Sequence, residues 1–319
     1  MAQTTKFLLK PSFWFAIAAR TLKRKGIRTR LRLLKEESGQ SMVVAALFMV
    51  MFIGMLGLVI DMGMGYARYR QMQTASDTAA LAATRELALG NGDVAAIDRI
   101  NQTLLSNGAD VALSEYTLTS DRAEVTARTR YIPAFTAIFG LTEIPVRAAA
   151  NAQYGRQAQN GNLLPFAVDQ NLWVLDNEVN IWVGETGPGG NFGWVHWAGQ
   201  SQSSSILRAN IDDTSNSGTI TIGDQIAGKT GVSISAVRGS LNSKVGDVID
   251  VFFYDPDEIT GVGANLRYTV TGFGKFRITG VVIRGTQSEI RGYFERSVVL
   301  GGKIIPGTTL GSMAAGLIK

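Results

Sequence analysis

The sequence has no cysteine and a single histidine, His196. These two absences exclude Cys-rich zinc sites, thiol nucleophiles and every metal centre that needs several histidines. The lack of cysteine does not fix a compartment, because a region of about 250 residues can bury a core large enough to fold without disulfides. Charge is missing from one stretch altogether. Residues Met42 to Ile60, MVVAALFMVMFIGMLGLVI, carry neither a charge nor a strongly polar side chain. A helix of that length reaches about 28 Å, close to the ~30 Å hydrocarbon core of a bilayer. A soluble core helix rarely stays apolar on every face for that long. A signal-peptide h-region is shorter and closes with an Ala-x-Ala site, which is absent here. The run is therefore read as a retained transmembrane anchor that begins at Met42 and ends at Ile60, with Asp61 marking its outer end.

Positive charge is also unevenly placed. Ten Lys and Arg residues, from Lys6 to Lys35, precede the run, and only Glu36 and Glu37 oppose them. Residues 1 to 40 carry a formal +8, so the whole chain's +5 leaves −3 for the remainder. Short basic flanks stay in the cytoplasm. This predicts a single-pass cell-membrane protein with its N-terminus inside and residues 61 to 319 extracytoplasmic or at the cell surface. Anionic headgroups beside a span explain the cluster better than nucleic acid does, and no nucleic-acid partner is expected. Within the arm, Pro11 and Ser12 open a segment whose Phe13, Trp14 and Ile17 share one side. That pattern suits a helix lying in the headgroup layer, or else a basic tail with incidental aromatics.

Proline is missing from residues 41 to 90, where Ala, Leu, Met, Gln and Arg favour helix. One helix from about Ser41 to Leu89 would be about 73 Å long. Beyond the membrane, Met72, Ala75, Ala79, Ala82 or Ala83 and Leu87 recur at spacings of three and four. This apolar face of small side chains admits a close neighbour, either the chain's own domain or another subunit. Gly63 and Gly65 are candidate bend points.

Residues 91 to 155 read as a small α/β unit. Ala95 to Asn107 is a helix with apolar Ile97, Ile100, Leu104 and Leu105. Strands are expected at Val111 to Leu118, Ala123 to Tyr131 and Ile144 to Ala150, with a short helical piece opened by Pro133 and stopped by Gly140. RQAQNGN, from Arg156 to Asn162, is a candidate boundary. Residues 163 to 319 are rich in Gly, Asn, Ser, Val and Ile. Strands are expected at Leu172 to Leu175, Val179 to Val183, Gly218 to Ile222, Val248 to Tyr254, Leu266 to Phe273, Lys275 to Arg284 and Ser288 to Val299. Short helices are candidates at Ser204 to Ile211 or Ser240 to Val245. The expected class is a membrane-anchored α+β protein: a basic arm (1–40), a long helix (41–90), a small α/β unit (91–155) and a β-rich sandwich or barrel-like domain (163–319).

The string from Glu36 to Leu87 resembles the N-terminal module of the TadE/TadG-like proteins of Tad (Flp, tight adherence) pilus assembly. The residues that carry the resemblance are Glu37, Gly39 and Gln40 before the span, then Asp61 and Gly65 after it. Arg70, Gln73, Ala75, Asp77 and the Ala79-Ala80-Leu81-Ala82-Ala83 run follow in order. VRAAANAQYG, which ends at Gly155, and the distal LLPFAV and GNFGWVHWAG segments are similar to further parts of some members. The resemblance implies a pilus-assembly factor or minor pseudopilin-like subunit that acts by helix packing and protein contacts. Its implied partners are membrane lipid, copies of itself or related pilin-like subunits, and the Tad secretion platform. It implies no catalytic site and no cofactor. Type IV pilins are cut after a Gly and usually carry Glu at the fifth mature position. Cleavage after Gly39 would put Val44 there, so residues 1 to 39 are expected to be retained. A buried Glu would be costly in lipid unless a neighbouring subunit paired it, so its absence removes one reason to expect insertion into a pilin-like core.

Several groups are weighed for chemistry. His196 has no GxSxG partner, and Ser203 to Ser205 reads as a polar loop. Asp255, Asp257 and Glu258, and likewise Asp212 and Asp213, lack calcium-loop spacing. The glycines of GPGGNFG and GVGANL have no strand-to-helix setting for a nucleotide, and Asn101 heads a formal glycosylation sequon. Trp173, Trp182, Trp194 and Trp197 have two readings: a structural aromatic cluster, or a surface contact of an anchored adhesion or glycan-binding module. Asp61 either marks the end of the span or forms an ion pair with a partner subunit or with Arg68.

Overall fold

The structure, a computed structural model, describes residues 39–182, 193–230, 234–284, 287–307 and 310–318. The expectations for the basic arm and for most of GPGGNFG lie outside them. The chain divides into two compact units. Of the described residues, one comprises 39–65 with Ile132–Ile144, and the other Tyr66–Tyr131 with Pro145 onward.

Helix α1, Gln40–Ala88, runs unbroken through Gly63 and Gly65 for 49 residues. Its end is specified locally. Gly90 adopts φ +76°, its N–H bonds the Leu87 carbonyl, and the Asn91 N–H reaches back to the Glu86 carbonyl. This paired 5→2 and 6→1 closure satisfies carbonyls that the helix would otherwise leave bare. Helix α2, Gly92–Ser106, follows at once and buries Ala96, Ile100 and Leu104, one residue per turn. Leu105, expected on the apolar side, is exposed.

Strands β1 (Glu115–Leu118), β2 (Arg122–Tyr131) and β3 (Ile144–Gln157) then form a sheet. Ala123, Val125 and Ala127 of β2 point into the core, as alternation predicts. The short β4 (Gln159–Asn160) precedes β5 (Leu163–Asp169), which is buried along nearly its whole length. Then come β6 (Val179–Asn180), β7 (Val195–His196), α3 (Ser204–Asp212), β8 (Ile220–Thr221), β9 (Gln225–Gly228) and α4 (Ile234–Asn242). Strands β10 (Val248–Tyr254), β11 (Arg267–Arg284), β12 (Gln287–Glu295), β13 (Val298–Leu300), β14 (Ile304–Ile305) and β15 (Met313–Ile318) complete the order.

The first sheet has the order β1-β2-β3-β15-β13, with β14 also on β3. The C-terminal strand returns to it, pairing Met313 to Ile318 antiparallel with Arg156 to Asn151. The second sheet has the order β5-β10-β11-β12-β6, with β9 on β11 and β7 on β9. Strand β5 is parallel to β10, and its Pro165 is tolerated because this is an edge of that order. One face buries Phe253, Phe276 and Phe294 with Leu207 and Ile211 of α3 and Val237 and Leu241 of α4. The other buries Phe252, Tyr254, Tyr268 and Trp197.

The β-rich part contains a mixed sheet with two helices on one face, and the strand orders do not themselves show it closing into the expected sandwich or barrel. Strands expected at Leu266–Phe273 and Lys275–Arg284 are one strand of 18 residues, bulged between Ile278 and Gly280. Gly274 does not break it. Its missing side chain makes room for the Phe253 ring, which would lie 2.6 Å from a Cβ there. Leu172–Leu175 is not a strand but the end of a 3-10 turn and an isolated bridge, and β9 has no counterpart among the expected strands.

Candidate functional site

In the first unit, every large apolar side chain from Met42 to Ile60 is exposed on α1. This helix alone among the described ones is long and apolar enough to cross a membrane. At its end Asp61 interrupts this exposed surface, which resumes at Met62, Met64 and Tyr66. Asp61 is 3 % exposed, because the segment after β2 folds across it. The backbone N–H groups of Ala134, Phe135 and Thr136 all donate to its carboxylate. Ala134 bonds Oδ1 at 2.8 Å, Phe135 both oxygens at 3.2 and 3.0 Å, and Thr136 Oδ2 at 2.6 Å.

These amides open the 3-10 turn Thr136–Phe139, whose own N-cap, Phe135, supplies no capping side chain. Asp61 performs that role from more than 70 residues away in sequence: an anion placed on unsatisfied N–H groups at the start of a helical turn. Gly140, at φ +88°, closes the turn. One helical turn before Asp61, Gly57 is also covered. A Cβ there would lie 2.7 Å from the Phe135 ring, so glycine is what lets the ring seat against the helix. The carboxylate therefore takes backbone amides, and the Arg68 guanidinium donates instead to Gln71 Oε1 at 2.9 Å.

In the second unit, the small-residue face of α1 is packed within the chain's own fold. Met72, Ala75, Ala79 and Ala83 are fully buried in one core with Ala96, Ile100 and Leu104 of α2 and the alanines of β2 and β3. Ala82 and Leu87 lie half-buried at its margin, and Ala80 joins the buried set. Of the two neighbours the face could serve, the structure supplies the chain's own.

The four tryptophans are brought together only in part, and inward. Trp182 and Trp194 cross edge-on at 5.3 Å, and Phe166 packs on Trp194 at 4.9 Å. Trp173 lies against Phe253 and Phe294, while Trp197 belongs to the core on the other face. Trp182, Trp194 and Trp197 are each at most 3 % exposed. Rings this deeply buried offer no face for stacking on a glycan, whereas Trp173 is half-buried.

The remaining polar groups serve local structure. Ser203 accepts from the Ile206 N–H and caps α3, while Asp213 accepts from the Ser215 N–H and hydroxyl. That pairing holds the Asp213 carboxyl below its ordinary range. Asp255 caps the turn Pro256–Glu258 through the Asp257 N–H. Among the described residues no group of three or more His, Asp or Glu could hold a metal.

His196 borders a cleft of about 760 Å³ together with Trp197, Asn216, Asp224, Gln225 and Arg267. Burial, with Arg267 and Lys229 nearby, lowers its pKa below 6.5. A histidine held neutral in the fold takes up its proton first when the chain unfolds. Its stabilising contribution is present above pH 6.5 and is lost as pH falls from there towards the folded-state pKa. With one histidine in the chain, the test is clean. The thermal midpoint of the native protein should fall below that of His196→Gln between pH 6.5 and 5, having run parallel to it above. Parallel curves throughout would contradict the assignment.

The fold carries one apolar helix long enough to span a membrane, and that helix continues into the core of an α+β region. Residues 39–86, which are α1 almost end to end, match a family model described as Tad, "Putative Flp pilus-assembly TadE/G-like". No curated protein and no solved structure matches the chain. Sequence reasoning found Asp61 but missed its partners. The signal lies in the proline-opened, glycine-closed segment at 133–140, whose pattern by itself indicates only a short helical piece.

Proposed function

We propose that this chain is a membrane-anchored component of a Tad/Flp-type pilus-assembly system, either an assembly factor or a minor pseudopilin-like subunit, and acts through protein–protein contacts without a chemical step. The supporting observation is the double use of α1 within the matched segment. From Met42 to Ile60 it offers only apolar side chains to its surroundings, and its second half is an integral part of a folded core. A pulling or docking force on the folded region would therefore be carried into the membrane through continuous helix. The basic flank supports a topology with the N-terminus in the cytoplasm and residues 61 to 319 outside. Lipid, related pilin-like subunits and the Tad secretion platform are the proposed partners.

Deleting the chain should abolish surface pili, and re-expression should restore them. Protease added to intact spheroplasts should digest the region beyond Asp61 and spare the arm. Normal pili with lost adhesion would instead favour an anchored adhesion module. Digestion of the arm in intact cells would reverse the topology.

A further inference from the structure

We propose that Ile132–Leu141 is a second membrane-contacting element, seated in the acyl-chain region of the leaflet from which α1 emerges at Asp61. The inference rests on α1 spanning the bilayer. From Ile132 to Thr142 the chain has no charged residue. Ile132 is 72 % exposed, Ile138 and Phe139 are each 81 % exposed, and Leu141 is also exposed. Four large apolar side chains held outward on ten residues form the kind of patch that soluble surfaces avoid and membrane-contacting surfaces use.

The depth of the segment is fixed within its own unit. Phe135 seats on Gly57, which lies inside the apolar run and about 6 Å deeper than Asp61 along the helix. The turn is thereby pinned beside the last apolar turn of the span, and its outward side chains continue the exposed apolar surface of α1.

The backbone is arranged as lipid requires. Irregular backbone at membrane depth must satisfy its N–H groups internally. Here the amides of Ala134, Phe135 and Thr136 go to Asp61. Those of Ile138, Gly140 and Leu141 go to the carbonyls of Phe135, Ala137 and Thr136. In water these amides would find partners without a dedicated carboxylate. In a bilayer Asp61 is what makes the segment admissible, and it acts as a positioning residue for the loop. Continuity with α1 selects lipid as the occupant over a second copy of this chain.

The absence of native cysteine allows a direct test in the full-length protein. Phe139→Cys and, separately, Leu141→Cys are labelled with an environment-sensitive nitrobenzoxadiazole probe. Ile53→Cys in mid-span serves as reference. Each is reconstituted into phosphatidylcholine–phosphatidylglycerol vesicles, and quenching by acyl-chain doxyl lipid is compared with quenching by aqueous iodide. The expected result is that the loop probes, like Ile53→Cys, are quenched several-fold more by doxyl lipid than by iodide. Asp61→Ala should reverse that preference for Phe139→Cys while leaving Ile53→Cys unchanged.

Iodide quenching of both loop probes, with doxyl quenching of the mid-span probe, would place the loop in water. It would overturn the proposal and leave the span intact. Shielding of the loop probes from both quenchers would mean protein covers the segment, and would also overturn it. Failure of doxyl lipid to quench Ile53→Cys would remove the span reading itself.

Discussion

Replacing Ala79 and Ala83 together by leucine is expected to destabilise the folded region severely. The two residues lie one turn apart on the same face of α1, fully buried against α2 and the first sheet. The core they share is rich in small residues, Ala96, Ala123, Ala127, Ala148 and Ala150, and also holds Ile100, Leu104 and Val125. A close-packed core has little spare room for added bulk. Overpacking costs about 1–3 kcal/mol per site. Adjacent sites couple, so the double variant need not equal the sum. Even so, the loss is a large part of the roughly 5–15 kcal/mol that holds a typical domain together.

Thermal unfolding of the detergent-solubilised protein measures this effect. The midpoint should fall steeply for Ala79→Leu/Ala83→Leu and much less for Ala82→Leu, which is only half-buried. An unchanged midpoint with a loss of pili would mean that the face is free to engage a neighbouring subunit, against the packing seen here.

This contrast shows what the sequence could and could not reveal. The spacing of Met72, Ala75, Ala79 and Ala83 identified a packing face because helical periodicity is local. Which surface covered it was undecidable, since the covering residues come from α2, β2 and β3, brought there by tertiary folding. Helix α1 was legible almost to the residue, through composition, the missing proline and Gly90.

The β-rich region was read less well. Strand Val248–Tyr254 appears as expected, but Gly274, which separates two expected strands, instead makes room for Phe253 within one. Strand β5, with Pro165 inside it, reads poorly as a strand from sequence, and only its edge position explains it. Asp61 illustrates the same limit at the site. Its place at the end of the apolar run was visible, but its three amide donors lie more than 70 residues away and are backbone groups, which leave no side-chain signature. The tryptophans leave two readings open for a related reason. A Trp-rich segment looks alike in sequence whether its rings face solvent or interlock, and only the packing with Phe166 decides between the two.

Trp194→Ala is the second large effect. Trp194 is completely buried, with Phe166 and Trp182 edge-on against it at 4.9 and 5.3 Å. Removing so large a buried ring typically costs about 3–5 kcal/mol, and each edge-to-face pair adds about 0.5–1.5 kcal/mol beyond burial. The indole N–H has no hydrogen-bond partner among the described residues. The residue therefore contributes through shape and apolar area, while its donor is a cost. It follows that Trp194→Phe should be far milder than Trp194→Ala, because it keeps most of the ring and discards an unsatisfied donor. Urea unfolding followed by near-ultraviolet circular dichroism should show the midpoint dropping strongly for alanine and modestly for phenylalanine. A residue used for stacking on sugar would give the opposite pattern, with stability near native in both variants and glycan retention lost in alanine. Stability that survives Trp194→Ala alongside a selective loss of glycan binding would defeat the structural assignment and restore the adhesion reading. The interlocked geometry argues against that result, since a ring that already has aromatic neighbours has no free face to offer a ligand.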